Sequence, residues 1–362
     1  MTAVCQLARV SPTRRALLDR TAVALSGGAL ASLADCLDDP VPGGGAPATD
    51  DSPTPDDETA TAEPDGTAPG SEVAFERWLP TPETTPIRDG YGVQAFDVAT
   101  LRERRDALHE NASERLQSEW RWAGPDERFV PSDDVTATVE VGFDAAVALG
   151  SFDPSAFRER YRSAQQPEGT ASPTDSTPPP TSDPERYAGF DLYGTDRLFA
   201  VSEDAILEVG HRREDDSRAY AEAILDARTE ETANYPAGNA YVEALLGVVD
   251  GPHVLKCYPE AMDGSTSRGF RKEAITGGIR AWRFGPETTH LTFGYTYADD
   301  ETAADSDLAS YLEAESDRFG VYDGLDVRTD GRLVWADGDA PTAEFDHLSP
   351  GGPDEGVHTE NG

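Results

Sequence analysis

The chain contains 362 residues, of which 69 are acidic and 30 are basic, and its formal net charge is −39. Such a charge excludes a stand-alone nucleic-acid-binding protein, because a basic surface is what binds phosphate groups. No apolar run reaches the roughly 20 residues of a membrane-spanning helix. Three cysteines are too few for a scaffold that depends on disulfides.

The basic residues are almost all arginine. Only Lys256 and Lys272 are lysines, and the acidic residues are spread along the whole chain. At about 1 M salt the Debye length falls to about 3 Å, so the self-repulsion of such a chain is largely screened. This composition is similar to that of proteins from salt-loving archaea, and we therefore expect a halophilic protein. The alternative is an ordinary acidic protein with acidic linkers.

The N-terminus has the order of an export signal. Arg14 and Arg15 precede an apolar stretch at 21–34, and Cys36 follows directly. This arrangement resembles the twin-arginine signal of haloarchaeal lipoproteins, with Leu33-Ala34-Asp35-Cys36 as the lipobox. The resemblance implies that residues 1–36 form a signal peptide with a lipobox, and that Cys36 carries a lipid on the outer face of the cell membrane. The alternative is an amphipathic N-terminus with a chance cysteine.

Three segments lack the apolar residues that a folded core requires. Residues 37–72 are rich in proline, glycine, threonine and acids, and we expect a disordered acidic tether there. Residues 164–184 predict a disordered loop, and residues 349–362 predict a disordered tail. The tether would hold the folded body just off the membrane.

Two modules are predicted between these segments. The first spans 73–163 and continues after the loop to about 212, and the second spans 213–348. Hydrophobic periodicity predicts strands at 91–96, 136–141, 146–152, 187–193, 197–201, 205–209, 253–258, 278–284, 289–298, 323–328 and 332–336. It predicts helices at 98–117, 153–162, 217–228, 239–248 and 306–318. Asp97 and Asp153 are predicted N-caps, and Asp330-Gly331 predicts a hairpin turn.

The two modules have similar sequence patterns. Residues 189–199 match residues 324–334 at an offset of 135, and both halves have the order β-β-α-β-β. We therefore predict an α+β fold with two similar modules, each an antiparallel sheet covered on one face by helices. The alternative is that hairpins resemble each other because turns favour the same residues. The arrangement resembles haloarchaeal lipoproteins of uncharacterised function with a repeated β-α-β body, and that resemblance brings no catalytic residues.

No catalytic, cofactor or metal motif is recognisable. The six histidines are scattered, without the i, i+4 spacing of a zinc-protease helix. The chain has no G-x-S-x-G elbow, no phosphate-binding loop and no dinucleotide fingerprint. The acidic run at 299–307 is better explained as a solvated turn than as a cation site. Catalytic residues therefore stay unknown, and we expect no cofactor and no metal.

Three further features of the sequence bear on function. Trp120 and Trp122 could stack on a sugar or a partner, although packing beneath a loop is the simpler interpretation. Asn111 begins a weak N-glycosylation sequon that matters only if the protein is exported. Cys257 is expected to be a buried core thiol.

The leading hypothesis is a lipid-anchored cell-surface protein with a non-enzymatic binding or envelope-interaction role. Its partners would be the membrane, through the lipid, and an unidentified protein or glycan. One alternative is a secreted hydrolase whose site is assembled in space, for example around His253 or His290. Another is an accessory or chaperone-like factor of an envelope system. No nucleic-acid partner is expected at this charge.

Overall fold

The structure, a computed structural model, describes residues 75–86, 90–142, 144–165, 184–195, 197–210, 214–259, 274–314 and 319–345. The predicted signal peptide with Arg14, Arg15 and Cys36, the tether and the tail lie outside the described residues, as does nearly all of the loop 164–184. The strands are β1 Val93–Asp97, β2 Val135–Val141, β3 Ala145–Gly150, β4 Glu185–Tyr187, β5 Phe190–Tyr193, β6 Leu198–Val201, β7 Ala205–Val209, β8 Val254–Tyr258, β9 Ile275–Phe284, β10 Thr288–Tyr297, β11 Asp323–Asp330 and β12 Leu333–Pro341.

Helices and short 3-10 turns surround these strands. The helices are α1 Val98–Glu103, α2 Glu110–Ala123, α3 Pro154–Ala164, α4 Glu214–Arg228, α5 Tyr235–Gly238, α6 Ala240–Gly247, α7 Asp300–Ala304 and α8 Leu308–Ala314. The 3-10 turns are Phe75–Trp78, Pro82–Thr84, Ser132–Asp134 and Thr342–Glu344. The predicted α+β class with a large antiparallel sheet is confirmed.

Within the described residues, the strands form one sheet with the order β11-β12-β10-β9-β8-β1-β2-β3-β7-β6-β5-β4. The strands of the first predicted module and those of the second occupy opposite halves of this sheet. The halves join where β1 pairs antiparallel with β8, from Val93 opposite Cys257 to Phe96 opposite Val254. The predicted modules therefore share one hydrogen-bonded sheet.

The two halves mirror each other outward from the β1–β8 pair. In each half the third strand, β3 or β10, is followed along the chain by helix and then by a hairpin. The last strand of that hairpin, β7 or β12, returns to pair with the third strand. By sheet position, β6–β7 is thus the equivalent of β11–β12. The 135-residue offset in the sequence instead aligns β5 and β6 with β11 and β12. The sequence match is therefore shifted by one strand relative to the match in sheet position.

Helices cover both faces of the sheet, rather than the one face predicted. On one face, α1, α2, α3, α7 and α8 contribute to a core that includes Phe96, Leu116, Phe157 and Trp282. On the other face, α4, α5 and α6 contribute to a second core that includes Tyr220 and Leu255. Because successive strand residues point to opposite faces, apolar residues at both parities are buried in the central strands. This double burial explains near-continuous apolar runs such as 145–149.

One predicted helix is replaced by two shorter ones. The helix predicted over 98–117 is α1 and α2, separated by turns from Arg104 to Leu108. The N-cap prediction for Asp97 is confirmed, since its carboxylate accepts from the Thr100 amide at 2.9 Å. The second helix restarts at His109, whose ring accepts from the Asn111 amide. Within the helix predicted over 306–318, the structure has α8 at Leu308–Ala314, and residues 315–318 lie outside the described residues.

The strand predicted over 187–193 is two strands joined by a tight turn. Ala188 has φ of 47° and Gly189 has φ of 87°. Two successive residues with positive φ form the kind of turn that closes a two-residue hairpin. The prediction failed because alanine rarely adopts this conformation, so Ala188 itself gave no indication of the reversal.

Candidate ligand-binding site

The outer strands β9, β10, β12 and β11 bring polar side chains to one face of the sheet. His290 lies opposite Arg283 on one side and opposite Asp339 on the other. Two residues further along β10, Thr292 lies opposite Asp337. Alternate residues of β10, such as Leu291 and Phe293, point to the other face and are buried in the core. We call the set Arg283, His290, Thr292, Arg328, Asp337 and Asp339 the polar face.

Side-chain contacts link neighbouring strands across the polar face. The Thr292 hydroxyl donates to Asp337 Oδ1 at 2.8 Å. Arg328 Nη1 donates to Asp337 Oδ2 at 2.9 Å. His290 Nδ1 forms a close hydrogen bond with Asp339 Oδ1. These contacts hold the polar groups in fixed positions, which reduces the entropy lost when a ligand is bound.

A cleft lies over this face. Its wall is the segment that follows α6, from Val248 to Pro252, and its floor includes Ala281, Trp282 and Thr292. The volume of the cleft is about 240 Å³. The His290 side chain is 41% exposed and that of Asp339 is 56% exposed, so both are open to solvent and to a ligand. Trp335 adjoins Asp337 on the same face and is half-buried.

Carboxylates outnumber guanidinium groups around the polar face. Arg283 and Arg328 face the carboxylates of Asp337 and Asp339, Asp250 adds one carboxylate at the wall, and Asp326 on β11 lies opposite Asp337. An ionised carboxylate only accepts hydrogen bonds, so the Nδ1–H of His290 donates to Asp339. In the neutral form of the ring, the Nε2 atom of His290 is then an acceptor. The site can hydrogen-bond a polar ligand or move a proton to or from it.

The other histidine named from the sequence has a structural role. The His253 ring accepts a hydrogen bond from the Phe284 amide at 3.0 Å and stacks near the Phe284 ring. Burial lowers the pKa of His253, which keeps the ring neutral and suits its role as an acceptor. His253 and His290 therefore do not share one site.

The remaining candidate residues are separate from the polar face. Asn111 is exposed in the first turn of α2, where a sugar could be attached. Trp120 is 5% exposed, whereas Trp122 is 50% exposed. The Asp299 carboxylate accepts from the Thr302 amide at 2.8 Å and so caps α7. No group of three potential metal ligands occurs among the described residues.

Sequence reasoning named His290 but not the residues around it. Asp337 is 45 residues from Thr292 along the chain and Asp339 is 49 residues from His290, and both reach β10 only through strand pairing. The alternation of polar residues at 288–292 and 335–339 was the available signal, since it predicts one solvated face. It did not predict which strands would be neighbours.

Within the described ranges, no helix combines the length and the apolar character needed to cross a membrane.

No family model matches this chain, and no curated protein matches it. The solved structures include a similar chain, TP0453, in several crystal forms. Form III is 12% identical, with a TM-score of 0.38 over 74% of this chain and 96% of that chain. Form IV is 12% identical, with a TM-score of 0.37 over 76% of this chain and 98% of that chain.

Proposed function

We propose that this chain is a lipid-anchored cell-surface protein whose folded body binds a glycan at the polar face. The observation that carries the binding role is the cleft with its two hydrogen-bonded pairs, Thr292 with Asp337 and His290 with Asp339. Trp335 is half-buried on the same face, two residues from Asp337. Sugars present hydroxyl groups at their rim and apolar C–H groups on their faces. A set of polar side chains on the same face as an aromatic ring suits both.

The excess of carboxylates around the polar face favours a neutral glycan over an acidic one. Charge–charge attraction at an exposed site is strongly screened at high ionic strength, whereas hydrogen bonds and aromatic contacts act at short range. A chain with net charge −39 also repels acidic polymers at a distance. Neutral oligosaccharides are therefore the ligands that the polar face suits best.

The glycan site is tested with two variants and one matched control. We expect Thr292→Val and Asp337→Asn each to weaken binding of a neutral oligosaccharide by about tenfold, because each removes or weakens a half-buried hydrogen-bonding group. Thr329→Val changes an exposed threonine elsewhere on β11 and should bind like the wild type. The measurement is calorimetric titration against a panel of neutral and acidic oligosaccharides. Failure of every neutral sugar to bind would reject the proposal.

The lipid anchor is supported by the sequence at Arg14, Arg15, 21–34 and Cys36. Phase separation with a detergent tests it, since a lipidated protein enters the detergent phase. We expect Cys36→Ser to move the protein from the detergent phase to the aqueous phase. Cys5→Ser changes a cysteine in the segment that would be removed, and should leave partitioning unchanged. Equal partitioning of both variants would reject the anchor.

A secreted hydrolase is the second candidate, and the His290–Asp339 pair favours it. A histidine oriented by a carboxylate can act as a general base. Among the described residues that line the cleft, the hydroxyl group is that of Thr292, and it donates to Asp337 rather than to His290. The pair would therefore activate water. If this candidate holds, His290→Gln lowers turnover of chromogenic glycosides about a hundredfold.

A further inference from the structure

A second cavity lies on the opposite face of the sheet, where α1, α2 and the 3-10 turn Ser132–Asp134 meet. Its volume is about 310 Å³. The inner surface is apolar and belongs to the core of that face: Leu101, Leu108, Leu116 and Trp120. An apolar surface of this kind binds a hydrocarbon or aromatic group better than it binds a sugar.

The rim of the cavity is cationic. It carries Arg102, Arg105 and Arg121 against one lining carboxylate, that of Asp133. The guanidinium carbon of Arg102 lies 5.0 Å from the centroid of the Trp120 ring, and that of Arg121 lies 5.6 Å from it. Arg121 also pairs with Glu127 outside the cavity lining at 3.1 Å. Positive charge thus remains in excess at the rim.

Two of these arginines differ in how they are held. Arg102 donates from Nη1 to the Val135 carbonyl at 2.7 Å and from Nη2 to the Ser132 carbonyl, so its position is fixed. Arg105 is exposed in the connection between α1 and α2. A fixed guanidinium group lowers the entropy cost of binding an anion, and a second, exposed one can close on it.

The local charge contrasts with that of the whole molecule. In a chain of net charge −39, three arginines converge on one apolar cavity. The surrounding negative potential repels anions at long range, so only a ligand with an additional apolar group gains enough from this site. An anion without such a group would make no apolar contact with the leucines and Trp120.

We propose that this cavity binds a single anionic amphiphile, with a carboxylate or phosphate at the arginine rim and an apolar chain against Trp120. This site is separate from the glycan site and goes beyond the proposed function. The volume of about 310 Å³ lies at the lower end for ligand pockets, which suits a medium-length chain.

Calorimetric titration of the full-length Cys36→Ser protein with sodium decanoate and decyl phosphate tests the proposal, below their micelle concentrations. We expect both to bind and decanol to bind at least tenfold more weakly, because decanol lacks the charge. Affinity should fall about fourfold for each methylene removed between decanoate and octanoate, since each buried methylene contributes about 0.8 kcal/mol. Equal binding of decanol, or no dependence on chain length, would overturn the proposal.

Matched arginine variants locate the binding site. Arg105→Gln and Arg121→Gln should each weaken decanoate binding by about fivefold to tenfold. Arg77→Gln removes the same charge from an exposed residue beside Trp78, which belongs to the core of the opposite face, and should have no effect. Thr292→Val should also have no effect, which separates this site from the glycan site. An equal loss with Arg77→Gln, or binding to anionic vesicles without binding to monomeric decanoate, would contradict the proposal.

Discussion

The ammonium group of Lys256 lies 2.9 Å from Glu119 Oε2, and the two side chains are only 9% and 13% exposed. Lys256 stands on β8 near the centre of the sheet, and Glu119 stands on α2. The chain therefore uses one of its two lysines to join a helix to the sheet through a buried ion pair. Removal of one partner leaves the other charge in a poorly solvated position.

We expect Lys256→Met to lower the free energy of unfolding by about 3 kcal/mol, because Glu119 then loses its buried partner. The double variant Lys256→Met with Glu119→Leu should recover most of this loss, since no unpaired charge remains. Arg115→Gln removes a second, 52% exposed partner of the same glutamate and should cost no more than about 1 kcal/mol. Denaturant titrations at fixed salt measure all three. Equal losses for the two single variants would contradict the argument.

Acid sensitivity is predicted at Asp126. Burial alone would raise the pKa of this carboxyl group, but hydrogen bonds from Arg128 and Arg197 outweigh burial and hold the pKa well below its usual value of 3.8. The unfolded chain therefore takes up the proton first as the pH falls. The stabilisation is fully present above about pH 4 and is lost as the pH falls towards the lower pKa of the folded state.

Asp126→Asn should lower the free energy of unfolding at pH 7 by about 2 kcal/mol, because charge-assisted hydrogen bonds to two arginines are weakened. It should also flatten the decline in stability between pH 4 and pH 2. Asp106→Asn, at an exposed position, should leave the pH profile parallel to that of the wild type. Denaturation midpoints measured at several pH values give the comparison. A steep acid decline in the Asp126→Asn protein would contradict the assignment.

Two glycines should respond in opposite ways to alanine. A Cβ atom on Gly150 would lie 2.0 Å from the Asp134 carbonyl oxygen, so Gly150→Ala should cost about 3 kcal/mol. A Cβ atom on Gly247, in the last turn of α6, would meet nothing within 4 Å. Gly247→Ala should raise stability by up to about 1 kcal/mol through helix propensity. Thermal unfolding of the two variants and the wild type measures both effects. A Gly150→Ala variant as stable as the wild type would refute the close backbone contact.

The thiol of Cys257 should be unreactive in the folded protein. Burial raises its pKa to about 12, so at pH 8 only about one molecule in ten thousand carries the reactive thiolate. In a Cys5→Ser, Cys36→Ser background, a thiol-specific dye should label Cys257 only as fast as the protein unfolds. Denaturant should then accelerate labelling by several orders of magnitude. Rapid labelling in native buffer would show that the thiol is accessible.

Local signals predicted individual elements well. Asp153 followed by Pro154 predicted the start of α3, and the Asp153 side chain does accept from the Ser155 amide at 2.8 Å. Asp330-Gly331 predicted the hairpin of β11 and β12, and Gly331 has φ of 54°. Such features depend on a few adjacent residues, so the sequence is sufficient to indicate them.

Long-range features were not predictable in the same way. The burial of both sheet faces depends on where α4 and α6 pack, and not on any single strand. The meeting of His290 with Asp339 depends on the pairing of β10 with β12. A shift of that register by one residue would turn the aspartate to the opposite face. Pattern analysis identifies polar positions, but pairing between distant strands decides which of them form a site.

The β1–β8 junction has a consequence for the integrity of the molecule. On the side where β1 and β8 face each other, the backbone N–H and C=O groups of each strand are paired with those of the other. Cleavage of the connection between β7 and α4 would leave two fragments. Each fragment would have an unpaired edge strand, β1 or β8, that pairs with the other fragment in the intact protein. Such fragments would stay associated or aggregate, so we expect the two halves of the sheet to depend on each other for solubility.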